Sequence, residues 1–243
     1  MFIYLHKFAN PSRFLKVAIP IKKISGFLSI LTILLGLIFA LFFSPPDYQQ
    51  KETVRIMYIH VPCAWMSLMT YSFIFFTSTF FLIWKFPLFL LMAKESVTIG
   101  IIFTFSALLS GALWGKPTWG TYWVWDARIT STFILLIQYV GLIALRSSFS
   151  SRQTTDQILS IVSIIGAVNI PIIKFSVDWW NTLHQNASIT TSGSAIDSEM
   201  LIGLPLMLAS LLFLSFSIFA RNIQFEILTR TAKTTAMKEI ING

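Results

Sequence analysis

Charged residues are scarce in this sequence. Only 12% of its 243 residues are Asp, Glu, Lys or Arg, whereas 55% are hydrophobic. A soluble domain carries about a quarter charged residues, so this deficit excludes an ordinary soluble protein. The few charges fall mostly between long apolar runs, as they do in a chain that crosses a membrane several times.

Cysteine is almost absent as well. With Cys63 as the only cysteine, the chain can form no internal disulfide, CxxC redox pair or cysteine-based zinc site, and it lacks the CxxCH motif that attaches c-type haem. A GxxxxGK[ST] phosphate-binding loop is also missing, because residues 111–116 have the wrong spacing and Pro117 follows them. The sequence therefore carries no ATP site of that kind.

Six predominantly apolar runs organise the chain. A hydrocarbon core about 30 Å thick needs roughly 17–25 helical residues, and all six runs meet that length. Because lipid offers no hydrogen bonds to the backbone, the runs are predicted as helices rather than strands. We therefore expect residues 1–243 to form a single all-α integral membrane domain. The six predicted transmembrane helices are residues 24–44, 62–84, 96–115, 129–146, 157–174 and 200–220.

The distribution of Lys and Arg predicts the orientation in the membrane. Of 18 such residues, 13 lie in the N-terminal segment, the second and fourth connections and the C-terminal tail. The other five are Lys51, Arg55, Lys116, Arg128 and Lys174. Positive residues remain in the cytoplasm, so both termini are predicted to be cytoplasmic. The first, third and fifth connections are then predicted to face outward.

A tryptophan-rich segment joins the third and fourth predicted helices. Four of the eight tryptophans lie within twelve residues: Trp114, Trp119, Trp123 and Trp125, with Tyr122 among them. An aromatic belt at the membrane interface would explain one or two of these, and it stays open as an alternative. Four in one connection favour a platform for a large flat ligand, because indole rings stack on conjugated faces. If the segment were helical, Trp119 and Trp123 would share a face and Trp125 would point elsewhere.

Two of the three histidines are predicted to lie on the same outer face. His60 comes just before Pro62, which is expected in the first turn of the second helix. His184 follows the fifth helix, while His6 is predicted to be cytoplasmic. A single histidine at the membrane interface is usually only a polar side chain at a helix end and not a ligand. Two neutral imidazoles beside a flat aromatic pocket are instead what an iron porphyrin requires.

Basic side chains near the tryptophans are candidates to pair with haem propionates. Arg128 is the first candidate, and Lys116 and Arg55 rank after it. The alternatives for Arg128 are an ion pair with Asp126 or a role as a topology signal only. Asp126 is expected to orient either Arg128 or the backbone of the connection.

Residues 119–130 (Trp-Gly-Thr-Tyr-Trp-Val-Trp-Asp-Ala-Arg-Ile-Thr) resemble the tryptophan-rich WWD signature of haem-handling membrane proteins. With six spans and one histidine on either side of this motif, the chain is similar to the CcmC family of System I cytochrome c maturation. The similarity extends from about Arg55 to the end of the sixth span. Tyr122 departs from it, since many relatives have tryptophan there, but stacking survives that change.

The resemblance implies a non-covalently bound haem b with His60 and His184 as its axial, metal-binding ligands. It places the haem-binding segment in a tryptophan-rich loop at residues 116–130. The candidate cofactor-binding residues are His60, His184, Trp114, Trp119, Tyr122, Trp123, Trp125, Asp126 and Arg128.

The resemblance also implies a set of partners and a location. Proteins of this family hold haem at the outer surface and promote its covalent attachment to the haem chaperone CcmE. CcmD and the ABC-transporter components CcmA and CcmB would be further partners. The location implied is the bacterial inner membrane with a periplasmic functional face, or the mitochondrial inner membrane in an organelle.

Two other functions are compatible with a six-span membrane protein. One is a b-type cytochrome subunit that transfers electrons, although such proteins usually bury their bis-histidine haem inside the bilayer. The other is a solute permease, whose path intramembrane charges usually mark, and the six apolar runs, two of which end just before Arg146 and Lys174, contain none. We interpret the chain as a haem-delivery factor rather than a conventional enzyme.

Overall fold

The computed structural model describes residues 11–146, 148, 151–186, 188–190 and 193–242. His6, which was predicted to be cytoplasmic, lies outside these residues. The helices in the described residues are α1 (Pro11–Ile38), α2 (Met57–Trp84), α3 (Pro87–Trp119), α4 (Ala127–Leu145), α5 (Arg152–Gly166), α6 (Asn169–Trp179), α7 (Ser198–Leu201) and α8 (Gly203–Asn242). A π-helical turn (Phe39–Phe43) follows α1, and a 3-10 turn (Glu52–Ile56) leads into α2. Two short strands, β1 (Ile189–Thr190) and β2 (Gly193–Ser194), pair antiparallel.

Six helical segments are long and apolar enough to cross a membrane, which confirms the predicted all-α membrane protein with six spans. These segments are Leu15–Phe43, Glu52–Trp84, Pro87–Trp119, Ala127–Leu145, Gln153–Trp179 and Ser198–Thr229. Because successive spans run in opposite directions, connections 44–51, 120–126 and 180–197 lie at the same end of the bundle. We call this end the loop face.

The first and last spans pack against each other through small residues. Gly26 lies against Ser217, and Gly36 lies against the side chain of Met207. The Ser29 hydroxyl donates a hydrogen bond to the Ser210 carbonyl oxygen at 3.0 Å. In lipid the helices gain little from hydrophobic association, so this close approach and interhelical hydrogen bonding hold the pair together.

The main core lies between α2, α3, α4 and the fifth span. Tyr71, Ile74, Val97 and Tyr139 are fully buried in it. The two tyrosine rings meet edge to face, with their centroids 5.1 Å apart. The Tyr139 hydroxyl donates to the Ser67 carbonyl oxygen at 2.7 Å, which satisfies a polar group that lipid could not. This core fixes α3 against α2, the two helices that carry much of the site.

The fifth span, predicted at 157–174, is divided into α5 and α6 by a turn at residues 167–168. Pro171 lacks the N–H that a continuous helix would use, and it lies in the first turn of α6, where that loss is tolerated. Asn169 donates to the Ser131 carbonyl oxygen at 2.9 Å and lies 3.3 Å from the Gln138 side-chain oxygen. These bonds tie the interrupted span to α4 inside the membrane.

The helices extend beyond the apolar runs, so they include charges that the sequence analysis placed outside the spans. Lys94 of α3 and Asp156 of α5 form an ion pair at 2.5 Å, and both side chains are largely buried. Arg146 donates to the Lys94 carbonyl oxygen beside this pair. The cluster lies at the end of the bundle opposite the loop face, and it links three helices there.

Candidate haem site at the loop face

The tryptophan-rich connection is shorter than the predicted loop at 116–130. Helix α3 continues through Trp119 and ends at Gly120, whose φ of 79° is the left-handed conformation that favours glycine. Residues 120–126 are not helical, and α4 begins at Ala127. Trp119 and Trp123 therefore do not share a helical face.

His60 is fixed against α3 by one of its ring nitrogens. Its Nδ1 atom lies 2.9 Å from the Ala107 carbonyl oxygen and 3.2 Å from the Ser110 hydroxyl. A carbonyl oxygen can only accept, so Nδ1 carries the proton and the lone pair remains on Nε2. Helix α2 starts at Met57, and Pro62 is its sixth residue rather than part of its first turn. The 3-10 turn Glu52–Ile56 precedes the first turn of the helix, where Pro62 was expected.

His184 approaches the site from the connection that follows α6. Its Nδ1 atom lies 3.6 Å from Oδ2 of Asp126, slightly beyond hydrogen-bond distance, so the carboxylate acts on it mainly through charge. Burial lowers the pKa of His184 below its usual 6.5, while the nearby Asp126 carboxylate opposes that shift. The imidazole is therefore neutral at physiological pH, as a metal ligand must be.

Asp126 connects the tryptophan-rich segment to the His184 segment. One carboxylate oxygen accepts the Ile129 N–H at 2.8 Å and caps the start of α4. The other accepts the Leu183 N–H at 3.2 Å. Of the two roles expected for Asp126, the structure supports orientation of the backbone, and it extends that role to the residue before His184.

Arg128, in the first turn of α4, is bonded to α6. Its guanidinium donates through Nε to the Ser176 hydroxyl at 3.1 Å and through Nη2 to the Lys174 carbonyl oxygen at 3.2 Å. Burial and the positive charge of Arg128 both lower the pKa of His184. Arg128 therefore links the start of α4 to the helix that leads to His184.

The two other cations considered for the propionates are engaged elsewhere. Lys116 donates to the Gly120 carbonyl oxygen at 3.0 Å, and its ammonium lies 5.3 Å from the centre of the exposed Tyr122 ring. Arg55 pairs with Glu52 at 2.6 Å and donates to the Ala40 carbonyl oxygen. Arg128 is also hydrogen-bonded, but it follows Asp126, the neighbour of His184, by two residues and remains the best-placed candidate.

The tryptophans divide into two groups by their contacts. Trp114 lies edge-on to His60 with ring centroids 5.7 Å apart, and Trp119 lies 4.9 Å from the His184 ring. Trp123 and Trp125 instead contact each other and Phe133 of α4. Trp125 is 72% exposed, as expected for a ring that faces lipid or the interface. Each histidine therefore has its own tryptophan neighbour, and the rest of the motif is more peripheral.

Several residues that build the site were not singled out in the sequence. Gln50 accepts the Trp114 indole N–H at 2.7 Å, and Ser176 anchors Arg128. Ala107 and Ser110 hold His60 from α3. The available signal was the run of small residues along the third span, which permits a close approach by another side chain.

This set of side chains fits a haem group. In the part of the chain that the structure describes, no three or more His, Cys, Asp or Glu residues cluster as a metal site. The available nitrogen donors are the Nε2 atoms of two imidazoles, each oriented by an oxygen near Nδ1. Two imidazoles, adjacent indoles and a cation are suitable for an iron porphyrin with acidic side chains.

The fold and the site define a multi-pass membrane protein with two histidines, each beside a tryptophan, and a tryptophan-rich connection at one face. The chain belongs to the CcmC family. The profile of that family, described as heme exporter protein C, matches residues 4–238.

Individual relatives match over most of their length. Heme exporter protein C of Bradyrhizobium diazoefficiens is 41% identical over 232 residues, which is 95% of this chain and 88% of that protein. Heme exporter protein C of Haemophilus influenzae is 38% identical over 99% of this chain and 98% of that protein. A putative cytochrome c biosynthesis ccmC-like mitochondrial protein of Marchantia polymorpha is 50% identical over 71% of this chain and 73% of that protein.

Proposed function

We propose that the protein binds haem b non-covalently at the loop face and delivers it to the haem chaperone CcmE for cytochrome c maturation. Family membership supports the haem-handling role, since relatives bear the name heme exporter protein C and others are named for cytochrome c biosynthesis. His60 and His184 are the proposed axial ligands.

The observation that carries the proposal is the shared arrangement of the two imidazoles. Each has Nδ1 beside an oxygen of a different element, Ala107 for His60 and Asp126 for His184. For His60 the hydrogen bond places the proton on Nδ1 and leaves Nε2 to ligate, and the Asp126 charge favours the same tautomer of His184. Both rings lie at the loop face, and each is beside a tryptophan of the same segment.

The remaining residues hold and shield the ligand. Trp114 and Trp119, each beside one histidine, cover the flat ring and exclude water from the iron. Arg128 pairs with the carboxylates at the ring edge. Asp126 bonds both to the start of α4 and to the residue before His184, so it keeps His184 in place. Trp125 and Tyr122 form the exposed part of the segment, where a chaperone can approach, while Trp123 is half-buried against Trp125 and Phe133.

The loop face is proposed to be extracytoplasmic, because the connections at the opposite end and the terminal segments carry 13 of the 18 Lys and Arg residues. This places the protein in a bacterial inner membrane with a periplasmic site, or in the mitochondrial inner membrane. CcmD, CcmA and CcmB are the proposed companions, and the ATP-hydrolysing function belongs to another chain.

Electron transfer across the membrane is the less favoured function. The two histidines that the structure describes both lie at the loop face, so they supply ligands for haem at one side only. A redox titration with a physiological electron donor separates the two functions, because rapid and reversible turnover would favour a cytochrome.

The proposal is tested by the optical spectrum of the protein purified in mild detergent with CcmD and CcmE present. We expect a Soret band and the pyridine haemochrome of haem b, both removed by acid–acetone extraction. Absence of Soret absorption above background in a folded, complete preparation would refute it.

A further inference from the structure

Two glycines on one face of α3 lie directly beneath rings of the candidate haem site. Gly111 and Gly115 are four residues apart, so they occupy the same side of the helix. A methyl group added at Gly111 would lie 2.8 Å from Cε1 and 3.2 Å from Nδ1 of His60. One added at Gly115 would lie 3.1 Å from Cε3 of Trp119 and 3.3 Å from the Thr121 carbonyl oxygen.

The contact at Gly111 has a direct chemical consequence for His60. The ring lies against α3 because Nδ1 bonds to the Ala107 carbonyl oxygen, one helical turn before Gly111. A methyl group 2.8 Å from Cε1 is closer than carbon atoms approach without a shift, so the ring would move away from this acceptor. The orientation of Nε2 would change with it.

The contact at Gly115 acts on the connection instead. It allows the Trp119 ring to fold back over α3 and the backbone at Thr121 to pass close to the helix. Trp119 in turn contacts His184. Gly115 therefore influences the second candidate ligand only through Trp119 and the connection.

We propose that Gly111 and Gly115 are positioning residues of the site, where Gly111 sets the orientation of the His60 imidazole and Gly115 sets that of Trp119. This inference rests on the proposed haem-binding function, and it assigns the two residues different effects. A substitution at Gly111 alters axial ligation. A substitution at Gly115 leaves both ligands in place and loosens the aromatic cover.

Glycine-to-alanine substitutions at four positions test the proposal in the full-length protein with CcmD and CcmE. Gly111→Ala should lower haem occupancy roughly tenfold or more and shift the Soret and α bands, as removal of a ligand's supporting contact does. Gly115→Ala should keep the wild-type band positions, with faster loss of haem to a competing apoprotein. Gly141→Ala, which meets nothing within 4 Å, should match the wild type.

Gly100→Ala controls for general disruption of packing. Its methyl group would lie 2.0 Å from the Tyr139 ring, in the core and away from the histidines. It should lower thermal stability without shifting the bands of the haem that remains. If Gly111→Ala behaves like Gly100→Ala or like Gly141→Ala, the positioning role is wrong.

A double variant separates positioning from folding. In a His60→Gly background supplied with imidazole, the ring beside Gly111 is no longer tethered to α2 and can move away from an added methyl group, so Gly111→Ala should have less than a twofold further effect on haem occupancy. A full additional loss, or failure of the double variant to accumulate when His60→Gly does, would overturn the proposal. If the wild-type protein itself binds no haem, it is the proposed function that fails.

Discussion

The two candidate ligands have different kinds of oxygen beside Nδ1. His60 bonds to a main-chain carbonyl oxygen of a transmembrane helix, while His184 lies near the Asp126 carboxylate in a connection. The Ala107 carbonyl oxygen is fixed within a transmembrane helix, whereas the Asp126 carboxylate belongs to the residue that ends a connection. The position of His60 therefore depends on the packing of α2 against α3, and that of His184 depends on the connections.

Replacement of each histidine tests the ligand assignment. His60→Gly and His184→Gly should each lower haem occupancy or change its spectrum, because each removes one axial nitrogen. Added imidazole should partly restore the bands by occupying the vacated space. His6→Gly, at the position predicted to be cytoplasmic, should change neither. Equal effects from all three substitutions would contradict the assignment.

At the scale of elements, Asp126 joins α4 to the segment that carries His184. It caps the helix through Ile129 and accepts the Leu183 N–H with its second oxygen. An ordinary N-cap role would explain only the first bond. The second bond makes the same carboxyl group a positioning residue for the ligand next along the chain.

Two substitutions at Asp126 distinguish these roles. Asp126→Asn keeps a good capping side chain but removes the negative charge near His184. Asp126→Ala also removes the cap, which costs about 0.5–2 kcal/mol of stability. We expect both variants to bind haem more weakly, and only Asp126→Ala to unfold at a clearly lower temperature.

The negative charge of Asp126 should also shift the pH dependence of haem affinity in a definite direction. The carboxylate raises the pKa of His184 against the larger lowering by burial, so its removal lowers that pKa further. Protons compete with iron for the imidazole below its pKa. The pH at which haem affinity begins to fall should therefore be lower in Asp126→Asn than in the wild type. A shift to higher pH would contradict this account.

Some features of these elements were predicted from the sequence, and others were not. The apolar runs were enough to predict six spans, and the Lys and Arg counts were the basis for a predicted orientation. The membrane imposes both patterns directly on the sequence. The break in the fifth span and the shortness of the connection at 120–126 were not predicted. They depend on tertiary bonds from Asn169 and on the left-handed stop at Gly120, which hydropathy does not record.

The residues of the candidate site were predicted from the sequence, but the contacts among them were not. Both histidines and the tryptophans were identified by their rarity and clustering. That Trp114 accompanies His60 while Trp119 accompanies His184 follows only from how α2, α3 and the last connection pack. Gln50 and Ser110 were missed because a single polar residue near a helix end is common and carries little information alone.

At the scale of the whole molecule, the orientation can be tested with one reagent. The native Cys63 is buried, so it should react slowly with a membrane-impermeant maleimide. Tyr48 is 80% exposed at the loop face, and Ser148 is exposed at the opposite end. Tyr48→Cys should be labelled in cells with a permeable outer membrane, and Ser148→Cys only after the inner membrane is opened. The reverse pattern would place the site in the cytoplasm.

The proposed delivery of haem, as distinct from its binding, would also be a property of the whole molecule and its chaperone. Trp119→Ala and Trp123→Ala remove aromatic surface but leave both histidines, so haem should still bind in a less fixed orientation. The lost ring packing is about 0.5–1.5 kcal/mol beyond burial for each ring that stacks on another π-system. The double variant should show the effect more clearly, since Trp119 contacts His184 while Trp123 packs on Phe133. We therefore expect the ratio of haem-loaded CcmE to bound haem to fall more than haem occupancy does.

Trp84→Ala is the matched control, because that tryptophan ends α2 at the face opposite the loops and packs on Phe80 and Phe89. It should leave both haem occupancy and chaperone loading at wild-type values. If instead the ratio stays constant in the Trp119 and Trp123 variants while protein levels fall, the tryptophans only anchor the chain at the membrane interface. Because the ratio is normalised to bound haem, it distinguishes a defect in orientation from a loss of protein. A platform for haem predicts a lower ratio in the Trp119 and Trp123 variants, whereas a membrane anchor predicts an unchanged one.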